Sequence, residues 1–246
     1  MNMARRKIVV IQNNEVWIQY LSEAFEDTSS RLEIARTAQE GVQLVRSGSP
    51  DFVFGSPRLI TPALAAAIAG LRSSNPAFRC VRLGPVVAQH ERIFDAGFDE
   101  NPPTLSEFQK CLSHQLTFAG PIRLLVVDDE EGIGEAFREY FEHRNDPGYI
   151  VQTAGDGIEA KKVMERFQPS VLVLDIKMPG KDGRALYREL IEEERLPATI
   201  VFFDVVSVDE VIEIRRRGSP AFVEKGSRAS SMPEMAALIK KVAYFG

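Results

Sequence analysis

Pro169-Ser170-Val171-Leu172-Val173-Leu174-Asp175 and Pro50-Asp51-Phe52-Val53-Phe54-Gly55-Ser56 are two versions of one pattern. Val171 to Leu174 is apolar at every position, as expected of a strand whose sheet is covered by helices on both faces. Laid under one another, the two segments expose an internal duplication. Working outward from Val171, the second half reads as strand Ile122 to Val127, helix from Glu130 to about His143, strand Tyr149 to Thr153 and helix Gly157 to Phe167. After the Val171 strand come helix Asp182 to Glu193, strand Ile200 to Phe203, helix Asp209 to Arg217, strand Ala221 to Val223 and helix Pro233 to Val242. Five such βα units make a compact doubly wound α/β domain.

The first half repeats the order. It has strand Lys7 to Ile11, helix Glu15 to Glu26, strand Leu32 to Ala35, helix Gln39 to Arg46, strand Phe52 to Phe54, helix Pro62 to Arg72 and strand Arg79 to Leu83. A short helix near Glu91 to Ala96 and a last helix from Leu105 to Thr117 complete it. Phe118-Ala119-Gly120-Pro121 is a short join containing Gly and Pro. The expected domains are therefore 1–118 and 122–246, and a chain of 246 residues has room for both.

Composition fits two globular domains: 44% of residues are hydrophobic and 26% charged. The longest apolar run, Leu124 to Val127 with Ile122, is broken by Arg123 and falls far short of the ~20 residues of a membrane span. The basic start, Met1 to Lys7, runs into Ile8 to Ile11 and then polar Gln12, Asn13 and Asn14, which leaves no signal-peptide core. The expectation is a cytoplasmic protein with no membrane partner. Residues 1–120 carry 12 Lys/Arg and 12 Asp/Glu, so the whole net charge of −5 belongs to the second half. That balance argues against nucleic acid as a partner. Arg215-Arg216-Arg217 before Gly218 reads as a helix end favoured by the helix dipole. Cys80 and Cys111 have no metal or redox spacing, and His90, His114 and His143 are dispersed.

In an open parallel sheet the functional crevice lies beyond the carboxyl ends of the strands. Asp128 and Asp129 follow the first strand of the second half, Asp175 follows the third and Lys225 follows the fifth. A lone aspartate there would cap the next helix. Three carboxylates converging from neighbouring strands repel one another unless a cation intervenes, and an all-oxygen donor set favours Mg²⁺ or a similar hard ion.

These segments resemble the receiver domains of bacterial two-component response regulators. The matching residues are Leu124-Leu125-Val126-Val127-Asp128-Asp129-Glu130, then Val171 through Asp175 to Ile176-Lys177-Met178-Pro179-Gly180-Lys181-Asp182-Gly183, and Phe222-Val223-Glu224-Lys225. The resemblance implies two doubly wound (βα)5, flavodoxin-like receiver domains in tandem. It implies Asp175 as phosphoryl acceptor and Mg²⁺ held by Asp129, Asp175 and the Lys177 carbonyl, with Asp128 acting through water. Lys225 would pair with phosphoryl oxygens, and Phe222 would be the switch aromatic. The family's Ser/Thr position falls on Asp204, and Gly226 stands where Pro is usual; an anion at 204 would weaken the usual switch. The implied partners are a sensor histidine kinase or phosphotransfer protein and a downstream signalling protein, and a homodimer through the outer helices is left open.

The first half has Asn13 and Asn14 in place of the acidic pair, Ser56 in place of Asp175, Gly84 in place of the hydroxyl residue, and no Lys after Gly97. It reads as a pseudo-receiver that binds protein. Ser56 lacks the adjacent base that a hydroxyl nucleophile needs. The expected function is a phosphoacceptor regulator with no separate output domain, not an enzyme beyond autophosphatase activity. The alternatives are a phosphorylation-independent scaffold and an aspartyl phosphatase, whose DxD spacing the adjacent Asp128 and Asp129 do not match.

Overall fold

The computed structural model describes residues 6–99, 101–145, 147–178, 182–218 and 220–246. Pro179, Gly180 and Lys181 of the motif above lie outside them. The last two residues aside, the chain divides into two compact units, Met1–Leu116 and Thr117–Tyr244.

The first unit is a sheet of five parallel strands in the order β2-β1-β3-β4-β5. These are β1 Lys7–Ile11, β2 Arg31–Ala35, β3 Phe52–Gly55, β4 Arg79–Leu83 and β5 Ala96–Phe98. The helices are α1 Glu15–Ala24, α2 Ala38–Gly48, α3 Pro62–Ser74 and α4 Leu105–Ser113. Two expectations change here. The helix expected near Glu91 to Ala96 is a 3-10 segment, Ala88–Ile93, and Ala96 instead opens the fifth strand. Asp95 redirects the chain: its N–H donates to the Cys80 carbonyl at 2.8 Å, and its carboxylate accepts from the Cys80 N–H at 2.7 Å and from Arg72 at 2.8 Å. Three residues are too few to display a strand's pattern in sequence. The last helix stops at Ser113, well before Thr117, where Gln115 turns its N–H to the Leu112 carbonyl at 2.8 Å.

The second unit has the same architecture, with strand order β10-β9-β8-β6-β7. Its strands are β6 Ile122–Val127, β7 Tyr149–Ala154, β8 Val171–Leu174, β9 Ala198–Phe203 and β10 Ala221–Glu224. Its helices are α5 Glu131–Glu142, α6 Gly157–Phe167, α7 Gly183–Glu192, α8 Val208–Arg217 and α9 Met232–Phe245. Every strand pair is parallel. Both chain halves are thus doubly wound (βα)5 units of the flavodoxin-like kind.

Unalternating strands follow from two cores on one sheet. Leu124, Val126, Val171 and Val173 pack with Phe137, Phe141 and Ile239 on one face. Leu125, Val127, Leu172 and Leu174 pack with Met164, Leu186, Leu190 and Ile214 on the other. With both faces filled by apolar side chains, charge is pushed to the strand ends. The duplication extends to the caps. α2 and α6 both end on a left-handed residue, Ser49 (φ 42°) and Gln168 (φ 49°), directly before Pro50 and Pro169. Among the described residues no helix is long and apolar enough to cross a membrane.

Phe141 is fully buried and its ring lies 4.8 Å from Tyr149 and 5.8 Å from Phe137. Phe141→Ala is expected to cost about 3–5 kcal/mol of stability, read as a lowered midpoint in denaturant unfolding followed by circular dichroism.

Candidate functional site

The site is made by strand order. β6 and β8 are neighbours, with Val127 opposite Leu174, so the residues that follow them, Asp128 and Asp175, emerge side by side. The Asp175 N–H donates to the Val127 carbonyl at 2.8 Å, and the Asp128 N–H to the Ala154 carbonyl at 3.0 Å. The ladder therefore holds both backbones up to the point where the carboxylates begin. Asp128 and Asp175 are buried and Asp129 is exposed. One carboxylate oxygen from each of the three lies within 4.8 Å of those of the others.

Lys225, anchored by its N–H to the Phe203 carbonyl at 2.7 Å, brings the counter-charge from the end of β10. Its Nζ is 2.7 Å from Asp175 Oδ2, 3.0 Å from Asp128 Oδ2, 3.2 Å from Glu130 Oε1 and 3.8 Å from Asp204 Oδ2. The side chain is 7% exposed. Burial alone would lower the Lys225 pKa, but the adjoining carboxylates of Asp175 and Asp128 outweigh that and raise it. Burial also lifts the Asp128 carboxyl above its ordinary value; Asp175 adds to the rise, while the Glu130 N–H and Lys225 oppose it.

The other oxygens are fixed locally. Asp175 Oδ1 accepts the Lys177 N–H at 2.8 Å, and Asp128 Oδ1 accepts the Glu130 N–H at 3.0 Å. Asp128 Oδ2 is held by the Lys225 ion pair at 3.0 Å but accepts no hydrogen bond. A buried oxygen without a hydrogen bond, in an oxygen-only cluster carrying more negative than positive charge, fits a hard divalent cation.

Of the remaining expected residues, Asp204 is exposed and stands at the rim, and Lys177 reaches Glu210 at 3.8 Å with its ammonium. Phe222 is half-buried, its ring 6.4 Å from Phe203 and 5.5 Å from the Arg215 guanidinium. The helix expected to begin near Glu130 does so, with Glu130 as the N-cap of α5, and the Glu130 carboxylate is in addition one of those on Lys225; its place directly after the acidic pair is the signal for that second role. Gly183, the first residue of α7, passes so close to the Asp175–Ile176 backbone that any Cβ would overlap the Asp175 carbonyl oxygen.

In the first unit the counterpart of the acidic pair is shifted by one position from the sequence alignment, while Ser56 keeps its place opposite Asp175. The Gln12 N–H donates to the Ala35 carbonyl as Asp128 does to Ala154, and Ser56 to Ile11 as Asp175 does to Val127. Gln12 and Asn13, rather than Asn13 and Asn14, therefore stand for the acidic pair; Asn14 is the cap of α1, as Glu130 is of α5.

Residues 124–237 match the family model of the response regulator receiver domain. The C-terminal half of the chain therefore carries a receiver domain. The Response regulator MprA of Mycobacterium sp. (strain KMS) is 39% identical over 70 residues, 28% of this chain and 29% of that protein. Protein-glutamate methylesterase/protein-glutamine glutaminase 5 of Anaeromyxobacter dehalogenans (strain 2CP-C) is 38% identical over 85 residues, 34% of this chain and 23% of its own length. The match thus spans less than a third of these curated relatives. Among solved structures, the receiver domain of NtrX from Brucella abortus aligns at 27% identity and a TM-score of 0.41, over 49% of this chain and 97% of that one.

Two substitutions probe the site. Gly183→Ala is expected to cost about 3 kcal/mol, the upper end for forcing atoms into a filled space, measured by denaturant unfolding. A carboxyl whose folded pKa is raised stabilises the fold as pH falls through that value and weighs against it at neutral pH. Asp128→Asn keeps the acceptor for the Glu130 N–H and is expected to raise the thermal midpoint of the metal-free protein at pH 7. The gain over the parent should shrink as the pH is lowered.

Proposed function

We propose that the second unit is a phosphoacceptor of a two-component signalling system, with Asp175 as the residue modified. The observation that carries this reading is the pairing of buried Asp175 with Lys225 inside the three-carboxylate cluster. In the reaction, an Asp175 carboxylate oxygen attacks the phosphorus of a phosphohistidine on a sensor kinase or phosphotransfer protein. The new O–P bond replaces the P–N bond, and the bonding pair leaves with the imidazole, which takes up a proton.

The chain's residues position and neutralise. The Lys177 N–H holds Asp175 Oδ1 and so fixes the carboxylate's rotation. Lys225 Nζ, fastened to Asp175 Oδ2, is the cation that phosphoryl oxygens would meet. Asp128, Asp129, Asp175 and the Lys177 carbonyl are the groups that would hold Mg²⁺. When bound, that ion supplies the positive charge a transferring phosphoryl group requires. Lys225 also contacts Glu130 and lies near Asp204, so phosphoryl oxygens compete for it with carboxylates. Asp204 at the rim favours a second reading, in which the chain is a scaffold that works without phosphorylation. Output in either case passes through protein contacts, with a downstream signalling protein as the partner.

Intact-mass spectrometry after incubation with Mg²⁺ and acetyl phosphate tests the assignment. One added phosphoryl mass in the parent and none in Asp175→Asn is expected. A parent that stays unmodified while a control receiver is labelled would leave the scaffold reading.

A further inference from the structure

The first unit keeps the strand-end geometry of the second and inverts its chemistry. Strand order reverses at β1, between β2 and β3, and the crevice at such a switch point is where doubly wound sheets take ligands. Gln12 directly follows β1 and Ser56 directly follows β3. The Ser56 N–H donates to the Ile11 carbonyl at 2.9 Å, which sets the two residues abreast. Both are polar yet nearly sealed: Gln12 is 3% exposed and Ser56 6%.

Gln12 Oε1 accepts the N–H groups of Asn13 (3.0 Å) and Asn14 (3.2 Å). Two backbone donors fix the oxygen end of this amide, so the other end is the NH₂ group, and among the described residues it has no acceptor. Among the described residues Ser56 Oγ likewise has no partner.

Acid is missing where the second unit concentrates it. Gln12, Asn13 and Ser56 occupy the places of Asp128, Asp129 and Asp175, and the nearby Glu15 is ion-paired with Arg36. Two residues past Ser56, Arg58 is exposed and has no ion-pair partner among the described residues. Neutral donors with one arginine repel a divalent cation and suit an anion rich in acceptor oxygens.

We propose that this crevice binds a small phosphate-bearing anion without a metal, through the Gln12 amide, the Ser56 hydroxyl and the Arg58 guanidinium. A phosphate fits better than a carboxylate because eight N–H and O–H groups on these three side chains exceed what two oxygens accept.

The chain's one tryptophan, Trp17, sits buried in α1 directly after this loop and reports on the first unit alone. The full chain is titrated with inorganic phosphate and then with glycerol phosphate, in EDTA and at constant ionic strength, by Trp17 fluorescence and isothermal titration calorimetry. Saturable binding is expected, weakened about tenfold or more by Gln12→Glu and by Arg58→Glu, the loss of a charge-assisted contact. Arg58 is exposed, so its variant keeps the fold, which circular dichroism checks. Tighter binding of the monoester identifies a phosphorylated metabolite, and equal binding identifies free phosphate. No saturable signal by either method, or binding that survives Arg58→Glu unchanged, overturns the proposal.

Discussion

Repulsion between Asp128 and Asp175 is the constraint around which the second unit is arranged. Parallel pairing of β6 and β8 forces the two backbones together, and burial makes each charge more costly than it would be in water. Lys225 makes the arrangement tolerable from across the sheet, which requires β10 to run two residues past the level at which β8 ends, with β9 between them. The hydrophobic packing on both faces, which excludes water from beneath the site, is what gives that single lysine its influence.

The first unit solves the same backbone problem without charge. Its strand ends are tied by equivalent hydrogen bonds, but the side chains that emerge there are an amide and a hydroxyl. Nothing in it needs a Lys225, and β5 is correspondingly only three residues long. One scaffold thus supports an anionic crevice and a donor-lined one, and the choice lies in a few residues just beyond the strands.

Much of this was legible in sequence. The runs Val171 to Leu174 and Ile122 to Val127 are strands because their apolar patterns admit little else, and the positions of Asp128, Asp175 and Lys225 follow from where those runs stop. Three-residue β5 was not legible, because it is defined by pairing with Val81–Leu83 of β4 and by the Asp95–Cys80 bonds that precede it rather than by a local pattern. The one-position shift at Gln12 was hidden because asparagine resembles aspartate more closely than glutamine does; only hydrogen-bond register decides it. The helix start near Glu130 was legible, but the reach of its side chain to Lys225 beyond β10 was not, because that contact depends on the order of the strands.

Gly183 carries a further consequence. α7 is capped by Asp182, seven residues beyond Asp175, whereas α3 is capped by Thr61, five beyond Ser56, with a 3-10 turn at Pro57–Leu59 between. In the second unit glycine at the first helical position lets the helix press against the acceptor's own carbonyl; in the first, proline fills that position and the connecting segment has been shortened. The two halves have therefore diverged in backbone as well as in side chains. An acid placed at Ser56 would therefore meet a backbone unlike the one around Asp175, and a change of side chain alone would not turn one crevice into the other.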